Sequence, residues 1–218
     1  MVVFDVNETL SDMSPLADSF ERVGLGGDEV EAWFAGVLRD GFALTSVGAN
    51  PSFADVASES LRVRLGAHRT APGEIDAAVE GVMTAFGHLP VHADVVEGVR
   101  ALRAFGLRLV TLSNGSTGVA EGLLARAGLT DAFERLLSVE GAPAWKPHPS
   151  SYAHALSTCQ VSAGEALLVA VHPWDIDGAT RAGLRTAWLN RNGTSYPSYF
   201  TAPDIEAPDL VALARILG

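Results

Sequence analysis

One cysteine, Cys159, stands among 218 residues. A lone thiol excludes an internal disulfide and any cysteine-cluster metal site, and it fits a reducing cytosol; Cys159 is expected in the core or on a helix face. Long hydrophobic runs are also missing. No uninterrupted apolar stretch reaches the roughly 18 residues a membrane span needs, so no membrane partner is expected. Strand-like residues begin at position 2 with no basic region before them, so no signal peptide is expected and the cytoplasm is the expected location. Basic residues are scarce. Fifteen Lys and Arg face 26 Asp and Glu, a net charge of −11, which argues against nucleic acid or an anionic membrane while leaving room for a small anion bound locally. No internal repeat or low-complexity segment is found, and between about Ser14 and Pro90 no stretch carries a convincing strand signal.

What is present describes a globular chain, 48% hydrophobic, long enough for one domain or one domain carrying an insertion. It opens on Val2-Val3-Phe4, a short apolar run without alternation, which reads as a strand covered on both faces in a parallel sheet. Asp5 follows at the carboxyl end of that strand, where ligands of such sheets gather. A carboxylate there is either a nucleophile that forms a covalent ester or acyl-phosphate, or the cap of a turn.

The segment after it is helical. Asp28 with Glu31 is a capping-box pattern, and Val30, Trp33, Phe34, Val37 and Leu38 follow a helical stripe. Phe53, Val56, Leu61 and Leu65 predict a second helix ended by Gly66, and Ile75, Val79, Val82, Met83 and Phe86 a third. From Val91 onwards strand and helix alternate: helix 93–105, strand 107–112, helix 116–127, strand 136–139, a helix after Lys146-Pro-His-Pro149, strand 166–171, a helix ending near Gly183, strand 186–189 and helix 208–217. Repeated strand–helix units imply right-handed crossovers and a doubly wound parallel sheet, an α/β core with helices on both faces. The expected division is a core of residues 1–13 with 91–218 and a helical cap of 14–90.

Polar residues mark four strand ends: Asp5 to Thr9, Ser113 and Asn114, Lys146 before a helix, and Asp175 after the fourth strand. Taken alone, Lys146 also reads as a solvated helix-end lysine, and Ser113-Asn114 as a turn. In order, however, Phe4-Asp-Val-Asn-Glu-Thr-Leu10, Leu112-Ser-Asn-Gly115, Lys146-Pro and Trp174-Asp-Ile-Asp-Gly-Ala179 resemble the four motifs of the haloacid dehalogenase superfamily over essentially the whole chain. Leu137-Ser-Val139, the Lys146-Pro…Tyr152 spacing and Pro173-Trp-Asp175 are similar to its type II branch, the L-2-haloacid dehalogenases. The resemblance implies a Rossmann-like core, a helical cap, no cofactor and a possible homodimer. It also implies roles: Asp5 attacks the halogen-bearing carbon, Thr9 and Ser113 orient it and receive the substrate carboxylate, and Asn114 faces the halide. Lys146 keeps Asp5 ionised, and Asp175 positions or activates the hydrolytic water. Trp33, Leu38, Phe53 and Trp174 are candidate pocket walls, though each also suits a core.

The chain departs from the dehalogenase pattern in places. Phe34 stands where they carry an arginine after the cap tryptophan, Asn7 where many have an aromatic, and Ala170-Val-His172 where they have a serine and an asparagine. His172 is expected either to hold the water together with Asp175 or to make a structural bond. The alternative within the superfamily is a magnesium-dependent small-molecule phosphatase with Asp5, Asn7 and Asp175 as metal ligands. Asn7, however, cannot protonate a leaving alkoxide as the second aspartate of those enzymes does, and Val171 stands where they tend to have an acid. A protein that binds a small anion without turning it over is the third alternative.

Overall fold

The computed structural model describes residues 1–68 and 71–218. Six strands form one fully parallel sheet in the order β3-β2-β1-β4-β5-β6. They are β1 (Val2–Phe4), β2 (Leu109–Ser113), β3 (Arg135–Ser138), β4 (Leu167–Ala170), β5 (Arg185–Leu189) and β6 (Ile205–Ala207). β1 lies in the middle, with Phe4 in register with Thr111 on one side and Val169 on the other. The chain winds outward from β1 in both directions, so the crevice at the carboxyl ends of β1, β2 and β4 is the switch point where such sheets bind ligands.

The apolar run of β1 is explained by what covers it. Successive side chains of a strand face opposite ways. Val2 and Phe4 therefore join the core under α5 (Val95–Ala104), α6 (Thr117–Arg126) and α9 (Leu210–Leu217), while Val3 joins the core under α7 (Pro149–Cys159) and α8 (Pro173–Arg181). Cys159 is buried in the second of these layers.

Residues 14–90 hold α1 (Leu16–Arg22), α2 (Glu29–Ser46), α3 (Phe53–Ala67) and α4 (Pro72–Gly87), and every strand of the sheet lies outside them. Their entry and exit are tied side by side: Ser11 bridges Val91, the Asp12 N–H donates to the Pro90 carbonyl at 2.9 Å, and the His92 N–H donates to the Leu10 carbonyl at 3.0 Å. The helices pack around Trp33, Phe34, Phe53, Leu61 and Phe86, and that cluster takes in Trp145 from the other part of the chain. Trp145 is a bolt between the two. Its indole N–H donates to the Pro51 carbonyl at 2.9 Å and its backbone N–H to Thr45 Oγ1 at 3.3 Å. Its ring fills the space over Gly41, where a Cβ would collide with three ring carbons. Gly41→Ala is therefore expected to cost about 1–3 kcal/mol, read as a lowered denaturation midpoint, and to reduce activity because Lys146 follows Trp145 directly.

Three local expectations differ from the structure. Asp28 does not cap α2: its own backbone is already helical (φ −70°, ψ −13°), so its side chain cannot reach forward as an extended N-cap does, and Glu29 Oε1 instead accepts from the Gly26 N–H at 2.9 Å. The stretch after Pro15, ahead of the helical stripe that begins at Val30, forms the short helix α1. β6 leaves no mark in the sequence, because its three residues have no apolar run and only Ala207 is buried. It is held at the sheet edge by pairing with β5 and by Asp204, whose carboxylate accepts from the Thr186 N–H at 2.8 Å.

Candidate active site

Asp5 ends β1 with its backbone N–H on the Val169 carbonyl at 3.0 Å, which aims its side chain into the crevice. It is 4% exposed. One carboxylate oxygen, Oδ1, accepts from Lys146 Nζ at 2.9 Å; the other, Oδ2, accepts from Thr9 Oγ1 at 2.6 Å and faces His172 Nδ1 at 3.2 Å. Burial alone would favour the neutral acid. The Lys146 ammonium and the hydrogen bonds from His172 and Thr9 outweigh it and hold the Asp5 carboxyl well below the ordinary carboxylate range. A buried, ionised carboxylate with little water around it is a strong nucleophile in waiting.

Lys146 is the only lysine in the chain and is completely buried. Its ammonium also donates to Asp175 Oδ2 at 2.6 Å and lies 5.9 Å from the centre of the Trp174 ring. Burial would drive its proton off, but Asp175 and Asp5 together raise its pKa, so it stays charged. Asp175, in the first turn of α8, is fully buried and has both oxygens engaged, Oδ1 accepting from the Tyr152 hydroxyl at 2.6 Å. Burial and the neighbouring Asp5 raise its carboxyl above the ordinary value despite Lys146. The two carboxyls thus share one ammonium, with Asp5 the more acidic of the pair.

The remaining expected site residues fall into different places. Thr9 spends its hydroxyl proton on Asp5 and accepts from the Val171 N–H at 3.1 Å, so it orients the carboxylate. Asn114 was expected to face a halide; instead its Oδ1 accepts from the Lys146 N–H at 2.9 Å and its Nδ2 donates to the Lys146 carbonyl at 3.2 Å, which clasps the lysine backbone and leaves one amide N–H. Tyr152, whose spacing from Lys146 made it a candidate substrate contact, is buried and holds Asp175 through its hydroxyl. Ser113 Oγ accepts from the Gly115 N–H at 2.9 Å, so the turn and the site are the same feature. A Cβ at Gly115 would lie 3.3 Å from Ser113 Oγ and 3.5 Å from Asn7 Nδ2, so the glycine lets both polar groups come close to the turn. Asn7, 5% exposed, carries that amide beside the turn. Trp33 is no pocket wall: it is fully buried, donates to the Ala57 carbonyl at 3.3 Å and packs edge-on against Phe20 and Phe86. Leu38 likewise belongs to the core of the helical layer. Phe53 stacks on Phe86 and Trp145. Phe34 and Trp174 do reach the site, where their rings stack against the imidazole of His172 at 6.3 and 5.0 Å between centres. His172 does not pair with Asp175; it bridges Asp5 and Glu8, with Nε2 2.7 Å from Glu8 Oε2.

A family model for haloacid dehalogenase-like hydrolases matches residues 1–183. The chain belongs to that family. Haloacetate dehalogenase H-2 of Moraxella sp. is 28% identical over 100% of this chain and 97% of that protein, and an (S)-2-haloacid dehalogenase of Xanthobacter autotrophicus is 30% identical over 99% and 94%. The solved L-2-haloacid dehalogenase of Xanthobacter autotrophicus superimposes with a TM-score of 0.89 at 29% identity, covering 99% of this chain and 97% of that one. The structure of that enzyme with chloropropionic acid covalently bound matches equally well.

Within this family the residues present do not fit a magnesium ion. The Lys146 ammonium stands between Asp5 and Asp175, where a divalent cation would have to sit, and Asp175 has no oxygen free of a donor. Among the described residues, no helix is long and apolar enough to cross a membrane. Two contributors escaped the sequence. Trp145 looked like any core aromatic. Glu8 is a turn residue with no periodicity to mark it, although an acid three positions after the candidate nucleophile was visible. Lys146, by contrast, is marked in the sequence as its only lysine.

Proposed function

We propose that this protein hydrolyses the carbon–halogen bond of a short 2-haloacid, an (S)-2-haloacid or a haloacetate, through an ester on Asp5 and without a metal ion. The observation that carries this reading is the Asp5 carboxylate, buried, ionised and held by Lys146, Thr9 and His172. An Asp5 oxygen attacks the carbon, the carbon–halogen bond breaks with inversion, and the halide departs with the electron pair. Water then attacks Cγ of Asp5, releasing the hydroxyacid and restoring the carboxylate. A halide needs no proton to leave, so Asn7 in place of a second acid costs this reaction nothing, whereas an alkoxide leaving group would lose a general acid worth roughly a hundredfold or more.

The Ser113 hydroxyl and the Asn7 amide, gathered beside Gly115 with the start of α6 behind them, suit the substrate carboxylate as donors. The cap of residues 14–90 supplies the wall over the reacting carbon. Phe34, Phe53 and Trp174 are already packed on their neighbours, which favours a substrate with a hydrogen or methyl on that carbon. The relatives' activities, on haloacetate and on (S)-2-haloacids, agree with this class. The test is chloride release from chloroacetate and from each enantiomer of 2-chloropropionate, before and after chelation, beside a generic phosphate ester. Release from chloroacetate or the (S) form, unchanged by chelator, is expected. Magnesium-stimulated phosphate release exceeding halide release on every haloacid would overturn the proposal.

A further inference from the structure

His172 and Glu8 are charged groups beside the nucleophile that the carbon–halogen step leaves without a task. Both ring nitrogens of His172 are occupied by carboxylates, Nδ1 by Asp5 and Nε2 by Glu8, and the ring is clamped between Phe34 and Trp174. Glu8 is held at φ 60°, a left-handed conformation that glycine would adopt without steric cost. Its N–H donates to Ser11 Oγ at 3.2 Å and its carbonyl accepts from His92 Nε2 at 2.9 Å. A non-glycine residue kept in that conformation beside a nucleophile points to a use for its side chain. Glu8 also borders a polar cavity of about 830 Å³, lined with His172, His92, Asp12, Asn190 and Arg191, and its side chain is 35% exposed.

We propose that His172, backed by Glu8, is the base that takes the proton of the water cleaving the Asp5 ester, with Glu8 and the polar cavity as the proton's way out. This rests on the ester route proposed above. Asp175 is the competing base, but it is fully buried and both of its oxygens already hold Lys146 and Tyr152. His172 Nδ1, by contrast, lies 3.2 Å from the carboxylate whose carbon the water must attack.

The charges alternate through the cycle. In the resting protein burial disfavours the imidazolium, but hydrogen bonds to Asp5 and Glu8 raise its pKa to about 9, so it carries a proton on each nitrogen. Ester formation removes the Asp5 charge and half of that support, and His172 releases one proton towards solvent. Its freed Nδ1 accepts a proton from water as the water oxygen bonds to Cγ. When the adduct collapses, the Cγ–O bond to the product breaks and the product oxygen takes that proton from His172. The second water proton passes from the new carboxyl to His172, which restores the carboxylate–imidazolium pair. The net products are hydroxyacid, halide and one proton. The charged groups facing His172 are Asp5 from the end of β1, Glu8 from the following loop, Asp175 on its own helix, and Lys146 beyond Asp5; α2 presents only the Phe34 ring.

Single turnovers with chloroacetate separate the two halves, chloride reporting ester formation and intact-protein mass reporting the ester. His172→Asn keeps an N–H towards Asp5 but cannot exchange a proton. It is expected to release about one chloride per site and then accumulate the ester, with hydrolysis slowed roughly a hundredfold or more and no longer rising with pH as in the natural protein. Glu8→Gln, in which Glu8 acts only through His172, is expected to slow the same step less and to shift its pH dependence downward, because His172 loses an anionic partner. It carries the test alone if His172→Asn does not fold. Hydrolysis at the natural rate with an unchanged pH profile in these variants would overturn the proposal, as would loss of the chloride burst in His172→Asn alone. Chloride release by the natural protein with heavy-oxygen label only in the product hydroxyl would instead sink the ester route itself.

Discussion

Asp5→Asn is expected to remove turnover, by at least about ten-thousandfold, since loss of a covalent nucleophile typically costs that much or more. The fold should persist: the amide has the same shape, its one oxygen can keep the Lys146 bond while its NH2 turns to the Thr9 hydroxyl oxygen, and Lys146 keeps Asp175 as its counter-ion. The measurement is halide release alongside a denaturation curve. A single turnover of the natural protein in heavy-oxygen water should place label in the Asp5 side chain, because the attacking water bonds to Cγ and not to the substrate. Label found only in the product hydroxyl would mean that water attacks the substrate directly, and full activity in the variant would remove Asp5 from the chemistry.

Lys146→Met should be as damaging to activity and more damaging to stability. The substitution leaves Asp5 and Asp175 buried together without a cation, and breaking a buried ion pair from one side costs about 3–5 kcal/mol. The pH dependence has a definite sign. In the natural protein the Asp5 carboxyl lies below its ordinary range, so its contribution to stability is present at neutral pH and is lost as pH falls through that lowered value. Without Lys146 the Asp175 carboxyl, already above its ordinary value, rises further, and Asp5 keeps only His172 and Thr9 against burial, so both carboxyls move up. The variant is then least stable at neutral pH and recovers as acid protonates them. Urea denaturation at neutral and mildly acid pH reads this directly: the gap between the two proteins should narrow on acidification. A gap independent of pH would show that Lys146 matters by its bulk and not its charge.

Much of the architecture was legible because it depends on short-range pattern. Val2-Val3-Phe4 without alternation is what a strand buried on both faces requires. Ser52, Ser116 and Asp209 sit as N-caps with side chains accepting from Asp55, Val119 and Ala212, and they start their helices where local chemistry says they should. Asp28 and β6 show the limit of such signals. A capping pattern fails when the preceding turn is already helical, and a three-residue edge strand needs its partner before it has any identity.

The sequence by itself determined the parallel α/β core, the helical run of residues 14–90 and the presence of Asp5, Ser113, Lys146 and Asp175 at or near strand ends. Only the tertiary structure decided what those side chains do to one another. Lys146 meets Asp5 across 141 residues of chain, and His172 meets Glu8 across 164. Asn114 and Tyr152 proved to hold Lys146 and Asp175 in place. Secondary structure follows from dihedral preferences and periodic burial within a few residues, so it is written locally. The partner of a buried charge follows from which distant strands lie side by side and which way each loop turns, and no local pattern carries that information.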